Sequence, residues 1–411
     1  MSYYLINFNH NVIEPQDFSV KLENNIQTNK LPIFISPSLH KYLTKIKEEI
    51  DKYILQWDSA KKIINPYEFI HSHIYNHKHA VAKTRPISRS YFKFIEISQM
   101  LSILDKFILK PITSFHLAEG PGGFIEAISH LRKRSDDQYY GMTLLSENNN
   151  VPGWKKSQHF IGKHPNVTIV EGEGKDGDLL NPVNLRYCAN KFGNSMEIMT
   201  GDGGFDYSID FNKQELLSTK LIFSQMCYAL VLQKKGGNFI LKMFDIFFHV
   251  SCQMIYVLNC FYEKVYIVKP NTSRFANSER YIVAKNFKFS NTQHYVERFT
   301  DLIKEMQHKT FLIEFPKISI PCCLFIKLEE INGIIGQQQL DAISSTLALI
   351  EKNSSESMDS IIYSHVQKCI QWCLKHKVPF NKLNLEVQTE KDKISKVTNV
   401  RVEEEHVGNN L

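Results

Sequence analysis

The sequence has no stretch at its start that pairs a basic flank with an apolar core, so no secretion signal is expected. It also lacks an uninterrupted apolar run of membrane-spanning length. The nearest approach is FDIFFHVSCQMIYVLNCFY at 244–262, where Asp245, His249 and Gln253 recur every fourth residue. That spacing gives a helix one polar face, so the segment reads as a packed amphipathic helix and no membrane partner is expected. The eight cysteines form no repeated pattern and mostly fall in apolar runs, as Cys227 and Cys252 do. They read as reduced thiols of an intracellular, non-secreted protein. Cys369 and Cys373, with His365 and His376 nearby, lack a second cysteine pair and read as core thiols. The histidines of HSHIYNHKH (His71, His73, His77, His79) suit neither one helical face nor a zinc pattern, and read as a polar turn. No metal site is expected. There is no internal repeat and no GxxxxGK[ST] phosphate cradle.

What is present describes a globular chain. Of its 411 residues 43% are hydrophobic and 22% charged, and the net charge of +6 permits a polyanionic partner without demanding one. Residues 1–30 are polar and read as an irregular or edge segment. Tyr42, Leu43, Ile46, Ile50, Tyr53, Ile54 and Trp57 then follow helical spacing, until NPYEF at 65–69 breaks the pattern. A second helix is expected over Ser88 to Asp105. After Pro111, β-rich runs at 113–118, 138–144, 166–170, 196–200, 237–243, 264–268 and 280–287 alternate with helical patterns. Such alternation predicts an α/β fold with a parallel, doubly wound sheet. Helical patterns at 291–308, 337–352 and 358–376 surround a β-like stretch, IPCCLFIKL. KNSSES at 352–357 reads as a connector, and 388–411 as a charged, disordered tail.

Two stretches carry chemistry. In FHLAEGPGGFIEAISHL, 115–131, a strand, a glycine turn and a helix follow one another. Gly120, Gly122 and Gly123 allow a tight turn and close approach of backbone to a ligand, although many such turns serve packing alone. Glu119 beside them would repel a phosphate and suits a cationic ligand such as S-adenosylmethionine. In GGNFILKMFD, 236–245, Gly236 and Gly237 mark a turn and Lys242 interrupts a buried-strand pattern. An unpaired ammonium there is costly, so Lys242 either reaches out to solvent or serves a site.

SRSYFKFIEISQ, EGPGGF, GDGGFD, GGNFILKMFD and NTSRFANSERYIVAKN occur in that order. In this the chain resembles the FtsJ/RrmJ-like ribose 2′-O-methyltransferases, and the last motif resembles most the branch that methylates mRNA caps in eukaryotes and large DNA viruses. The resemblance implies a Rossmann-like class I methyltransferase with a mostly parallel, seven-stranded sheet at residues 85–290. A helical or irregular N-terminal extension (1–84), a mainly helical C-terminal one (291–387) and the tail (388–411) would flank it. It implies a catalytic tetrad of Lys93, Asp202, Lys242 and Glu279. Glu119, Gly120, Pro121, Gly122, Gly123, Phe124, Asp178 and Asp202 would contact S-adenosyl-L-methionine, with Asp176 second to Asp178. Ser273, Arg274, Asn277 and Ser278 are the substrate candidates, because they closely precede Glu279. The chain departs from the family pattern at His116, where an acid often ends the first strand, and at Thr143, where an acid often meets the cofactor ribose.

The implied substrate is RNA at the capped mRNA 5′ end, methylated on its first transcribed nucleotide. A ribosomal or transfer RNA is the alternative, and an inactive RNA-binding scaffold the second. The long flanks leave room for a guanine pocket or a docked capping-enzyme partner. In a virus, the host cytoplasm or the virion would be the site of action. Burial and Lys93 would lower the pKa of Lys242, while Asp202 and Glu279 would oppose that shift. Arg132, Lys133, Arg134, Lys155, Lys156, Lys234 and Lys235 could track phosphates, and Trp154 or Phe275 could stack a base.

Overall fold

The structure, a computed structural model, describes residues 2–6, 12–24, 31–74, 79–146, 151–204, 211–352 and 355–381. The expected tail at 388–411, His77 and the Phe205–Asp206 end of GDGGFD lie outside these residues. The chain divides into two compact units, Met1–Asn65 with Arg85–Glu351, and Pro66–Thr84 with Lys352–Leu411.

In the first unit the strands are β1 (Ser2–Ile6), β2 (Lys21–Glu23), β3 (Thr113–Leu117), β4 (Gln138–Met142) and β5 (Val167–Ile169). They continue as β6 (Met196–Gly201), β7 (Gln233–Met243), β8 (Tyr262–Lys269), β9 (Arg280–Phe287) and β10 (Phe311–Glu314). The helices are α1 (Pro37–Ile50), α2 (Ile54–Ile64), α3 (Ser90–Met100), α4 (Gly123–Arg132) and α5 (Gln158–Lys163). After them come α6 (Pro182–Phe192), α7 (Gln214–Leu232), α8 (His249–Phe261), α9 (Val296–Met306) and α10 (Cys322–Lys352).

Eight strands form one sheet in the order β1-β8-β9-β7-β6-β3-β4-β5. The β5-β4-β3-β6-β7 portion is parallel, and β9, β8 and β1 are antiparallel to their neighbours. The seven expected β runs become β3 to β9, and β1 adds an eighth strand from the segment read as irregular or edge. Chain order reverses between β3 and β6, and a crevice opens at the carboxyl ends of such strands. The strands are buried on both faces by helices, as the apolar character of β3, β6 and β7 requires.

Three sequence readings change. Gly236 and Gly237 make a bulge within β7 rather than a turn before it: Met196 pairs with Gln233 but Ile198 with Asn238, and Gly236 has φ 79°. IPCCLFIKL is not β-like. It leads into α10, where Leu324, Leu328, Ile331 and Ile335 repeat at helical spacing on the buried side, and the strand lies upstream at β10. Helix α8 starts at His249, after Asp245, and its polar positions face protein. Gln253 donates to the Phe315 and Ile318 carbonyls and accepts from the Phe315 N–H, while His249 lies 3.4 Å from Glu314. Among the described residues α7 is long and apolar enough to cross a membrane, and most of it is buried within the protein.

The second unit holds α11 (Ser355–Lys375) and a β-bridge between Ala82 and Phe380. Cys369 and Cys373 are buried, and burial pushes the Cys373 thiol up to about 12. The Cys369 sulfur lies 3.5 Å from the Pro66 carbonyl, and the His376 ring packs at a tilt against Trp372. Among the described residues no group of three or more His, Cys, Asp or Glu side chains is placed to hold a metal.

Candidate active site

Strand pairing brings the site together. Lys242, near the carboxyl end of β7, lies opposite Tyr281 of β9, so Glu279 just before β9 comes up beside it. Asp202 follows β6, the parallel neighbour of β7. The Lys242 Nζ donates to the Asp202 carbonyl at 2.6 Å and lies 3.4 Å from Asp202 Oδ1. The Tyr281 hydroxyl donates to the same Oδ1 at 2.8 Å. Helix α3 delivers Lys93, whose Nζ lies 2.7 Å from Glu279 Oε1 and 2.8 Å from Oε2. The Ser273 hydroxyl donates to Glu279 Oε1 at 2.7 Å. Burial favours the neutral form of Glu279. Lys93, then Lys242 and Arg89, outweigh it and hold the carboxyl well below the usual carboxylate range. Glu279 is therefore a buried anion beside three basic side chains, and Lys242 lines the opening.

That opening is a cavity of about 970 Å³. Gly120, Thr143 and Asp178 form one part of its lining, and Asp202, Lys242, Asn277, Ser278 and Glu279 another. A third wall comes from α1, α2 and α10, through Lys47, Trp57 and Gln339. Of the expected cofactor residues, Glu119, Pro121, Gly122, Gly123 and Phe124 stand behind the lining. Glu119 turns inward, where Oε1 accepts the Phe124 N–H at 2.5 Å and caps the first turn of α4. Its other oxygen, Oε2, is buried with no partner among the described residues, and burial and then Asp202 push its pKa well up. Gly122 has φ +106°, and a Cβ on Gly123 would collide with Ser90 of α3. These two glycines serve the turn and its packing, while Gly120 meets the cavity.

In the acidic turn, Asp178 faces the cavity. Asp176 accepts from the Asp178 N–H and from the Asn181 and Asn184 amides, so it shapes the turn instead. Thr143 lines the cavity at the position where the family pattern often has an acid. His116 is buried between Ser114 and Thr200, and burial lowers its pKa to about 3, so it stays neutral inside the sheet.

Ser273 and Arg274 are not part of the lining, although Asn277 and Ser278 are. Several proposed phosphate contacts are occupied within the protein. Arg132 binds Asp137 and the Phe107 and Lys110 carbonyls, Arg134 binds Asp136, and Lys234 binds Glu197. Trp154 packs its ring against Gly141 and is not a free stacking platform. Sequence reading missed Tyr281, which the alternation of β9 sets on the face of Lys242. It also missed Glu96, one turn after Lys93, which accepts the Asn271 and Thr272 N–H groups and anchors the loop before Glu279.

Residues 86–287 match the family model described as FtsJ-like methyltransferase. The chain carries an FtsJ-like methyltransferase domain. It is 30% identical over 275 residues to cap-specific mRNA (nucleoside-2′-O-)-methyltransferase 1 of Caenorhabditis elegans, covering 61% of this chain and 29% of that protein. It is 29% identical to the methyltransferase 2 of the same name from Danio rerio, covering 76% of this chain and 43% of that protein. With the Homo sapiens methyltransferase 1 it shares 36% identity over 41% of this chain and 21% of that protein. The chain thus spans less than half the length of these relatives. The FtsJ-like domain supplies Lys93, Asp202, Lys242, Glu279 and the glycine turn, whereas α1, α2 and α10 lie outside it and wall the same cavity.

Proposed function

We propose that this protein transfers a methyl group from S-adenosylmethionine to the ribose 2′-hydroxyl of the first transcribed nucleotide of capped mRNA. The observation that carries the reading is Lys242: its Nζ sits on Asp202 beside the Lys93–Glu279 pair and opens onto the cavity that Gly120 and Asp178 line.

The lining fits S-adenosylmethionine. Asp178 offers one carboxylate and Asp202 another near Lys242, and the described lining holds no phosphate cradle. Asp178 and Gly120 would hold the nucleoside end, and Asp202 the charged amino-acid end. S-adenosylmethionine supplies a methyl on a sulfonium, already a good leaving group. The protein's task is then to hold and deprotonate the hydroxyl. Lys242 takes the hydroxyl proton at Nζ, Asp202 fixes that amine from one side, and Glu279 with Lys93 fixes the nucleotide from the other. The names of the curated relatives and the cavity wall outside the FtsJ-like domain support a capped mRNA end as substrate.

Short RNAs ending in a methylated cap, an unmethylated cap or a triphosphate, compared at equal concentration, test the reading. The 2′-O-methyl group is expected on the first nucleotide. The methylated cap should be preferred by about tenfold, the scale of a cation–π contact to a cationic guanine. Equal rates on all three ends, or methylation at internal positions, would overturn it in favour of another RNA.

A further inference from the structure

The segment that leads into Glu279 is held in an unusual way. The backbone carbonyls of Ala276, Asn277, Ser278 and Glu279 all turn inward and each accepts from a buried side chain. Gln339 donates to Ala276 O at 3.1 Å, and Arg280 Nε to Ser278 O at 3.3 Å. Lys269, the last residue of β8, donates to both Asn277 O at 2.5 Å and Glu279 O at 2.6 Å. With their carbonyls drawn inward, Asn277, Ser278 and Glu279 all line the cavity. Lys269 is 3% exposed and makes no ion pair among the described residues. An ammonium is seldom buried without a carboxylate partner, so its place needs a reason.

We propose that Lys269 is a positioning residue for methyl transfer, fixing the direction in which Glu279 and Asn277 meet the nucleotide by holding the two carbonyls that flank Ser278. The inference rests on the transferase reading above. Lys269 touches neither the hydroxyl nor the methyl group and acts through Glu279.

The surroundings add a signature that a packing role would lack. Burial, opposed by Glu279, lowers the pKa of Lys269 to about 7. Besides Glu279, the charged groups facing it are Arg280 on β9, Lys93 on α3 and Asp245 after β7. A neutral amine keeps two N–H donors, enough for both carbonyls, so the clamp survives deprotonation while the charge beside Glu279 changes. The transfer rate therefore carries an inflection near pH 7 that belongs to Lys269.

The experiment compares the full chain with Lys269→Met and Lys269→Arg on an RNA that the unaltered protein methylates. It measures kcat and KM for RNA across pH 5.5–9 (roughly the span in which the amine titrates), S-adenosylmethionine affinity by calorimetry, and thermal unfolding. Lys269→Met leaves both carbonyls unpaired. It should lower kcat by about tenfold or more, the scale of a misplaced group, with cofactor affinity unchanged. Lys269→Arg keeps donors and charge, so it should recover most of kcat while losing the inflection, because a guanidinium does not titrate in this range. A folded methionine variant with unaltered kcat, or an arginine variant that keeps the inflection, would overturn the proposal. If the methionine variant does not fold, the pH profile of the arginine variant decides. An unaltered protein that methylates no RNA would sink the transferase reading instead, which is a separate outcome.

Discussion

Lys242 follows a buried run, Gly237–Leu241, near the end of its strand, and its side chain lines the cavity. Replacing it with alanine should cut turnover by at least ~10²-fold, the usual scale for a lost acid–base group, with cofactor affinity almost unchanged. Lys242→Arg should not restore the rate, since a guanidinium cannot accept the hydroxyl proton. Single-turnover assays beside calorimetry distinguish loss of chemistry from loss of binding. Gly122 yields a different expectation. Its φ of +106° strains any side chain, so Gly122→Ala should lower stability by about 1–2 kcal/mol in thermal unfolding, whatever it does to binding. At this scale the four charged residues were legible because their motifs occur in order. The orientation of Glu119 was not, because a sequence shows an acid beside a turn but not which way it points. The partners of Arg132 were equally hidden: Asp137 is close in sequence, but the carbonyls that complete its shell come from a distant loop.

Helices α1 and α10 reach the site through one buried ionic cluster. Lys47 of α1 pairs with Asp245 at 2.9 Å, Arg280 meets the same carboxylate at 3.1 Å, and Asn332 of α10 accepts from Arg280 at 2.9 Å. Asp245→Ala would leave two buried cations uncompensated and should cost about 3–5 kcal/mol in denaturant unfolding. Burial raises the pKa of Asp245, but Lys47 and Arg280 outweigh it and the net shift is downward from 3.8. A depressed carboxyl contributes stability that is complete above its unfolded value and disappears as pH falls through the lower folded one. Asp245→Asn should therefore flatten the acid limb of the stability profile below about pH 4, read by thermal unfolding across pH. The helical periodicity of α1 was legible, but not that Lys47 lies on its buried face, since its countercharge sits far away in the sequence. IPCCLFIKL was misread because a short apolar run fits either period until its length is known, and the helix it enters runs on to Lys352.

The sheet as a whole was legible as seven β runs alternating with helices, because buried parallel strands are continuous apolar segments. Its eighth strand was not, since β1 leaves Tyr3 and Leu5 exposed and sits in a polar stretch. Nor did periodicity reveal that segments flanking the FtsJ-like domain wall the cavity, which follows from packing between distant elements. Ile50 and Trp57 form a buried cluster with Ile343 of α10, and Ala276 of the site loop packs against it. Deleting residues 1–65 should open that cluster and the edge of β8 together. The shortened chain is expected to elute as aggregate in size-exclusion chromatography rather than as a weaker enzyme.

The placement of β1 also sets a schedule. Ser2 pairs with Lys269, so the partner of β1 leaves the ribosome roughly 10–50 s after it at ~5–20 residues per second. Until then, β1 has nothing to pair with and β8 does not exist. In refolding, where the whole chain is present, the same long sequence separation still delays the pairing, and hydrogen exchange should find the β1 amides among the last to gain protection, after those of the central parallel strands. Lys269 stands at the end of that late pairing, with its side chain turned to the Asn277 and Glu279 carbonyls across the β8–β9 connection.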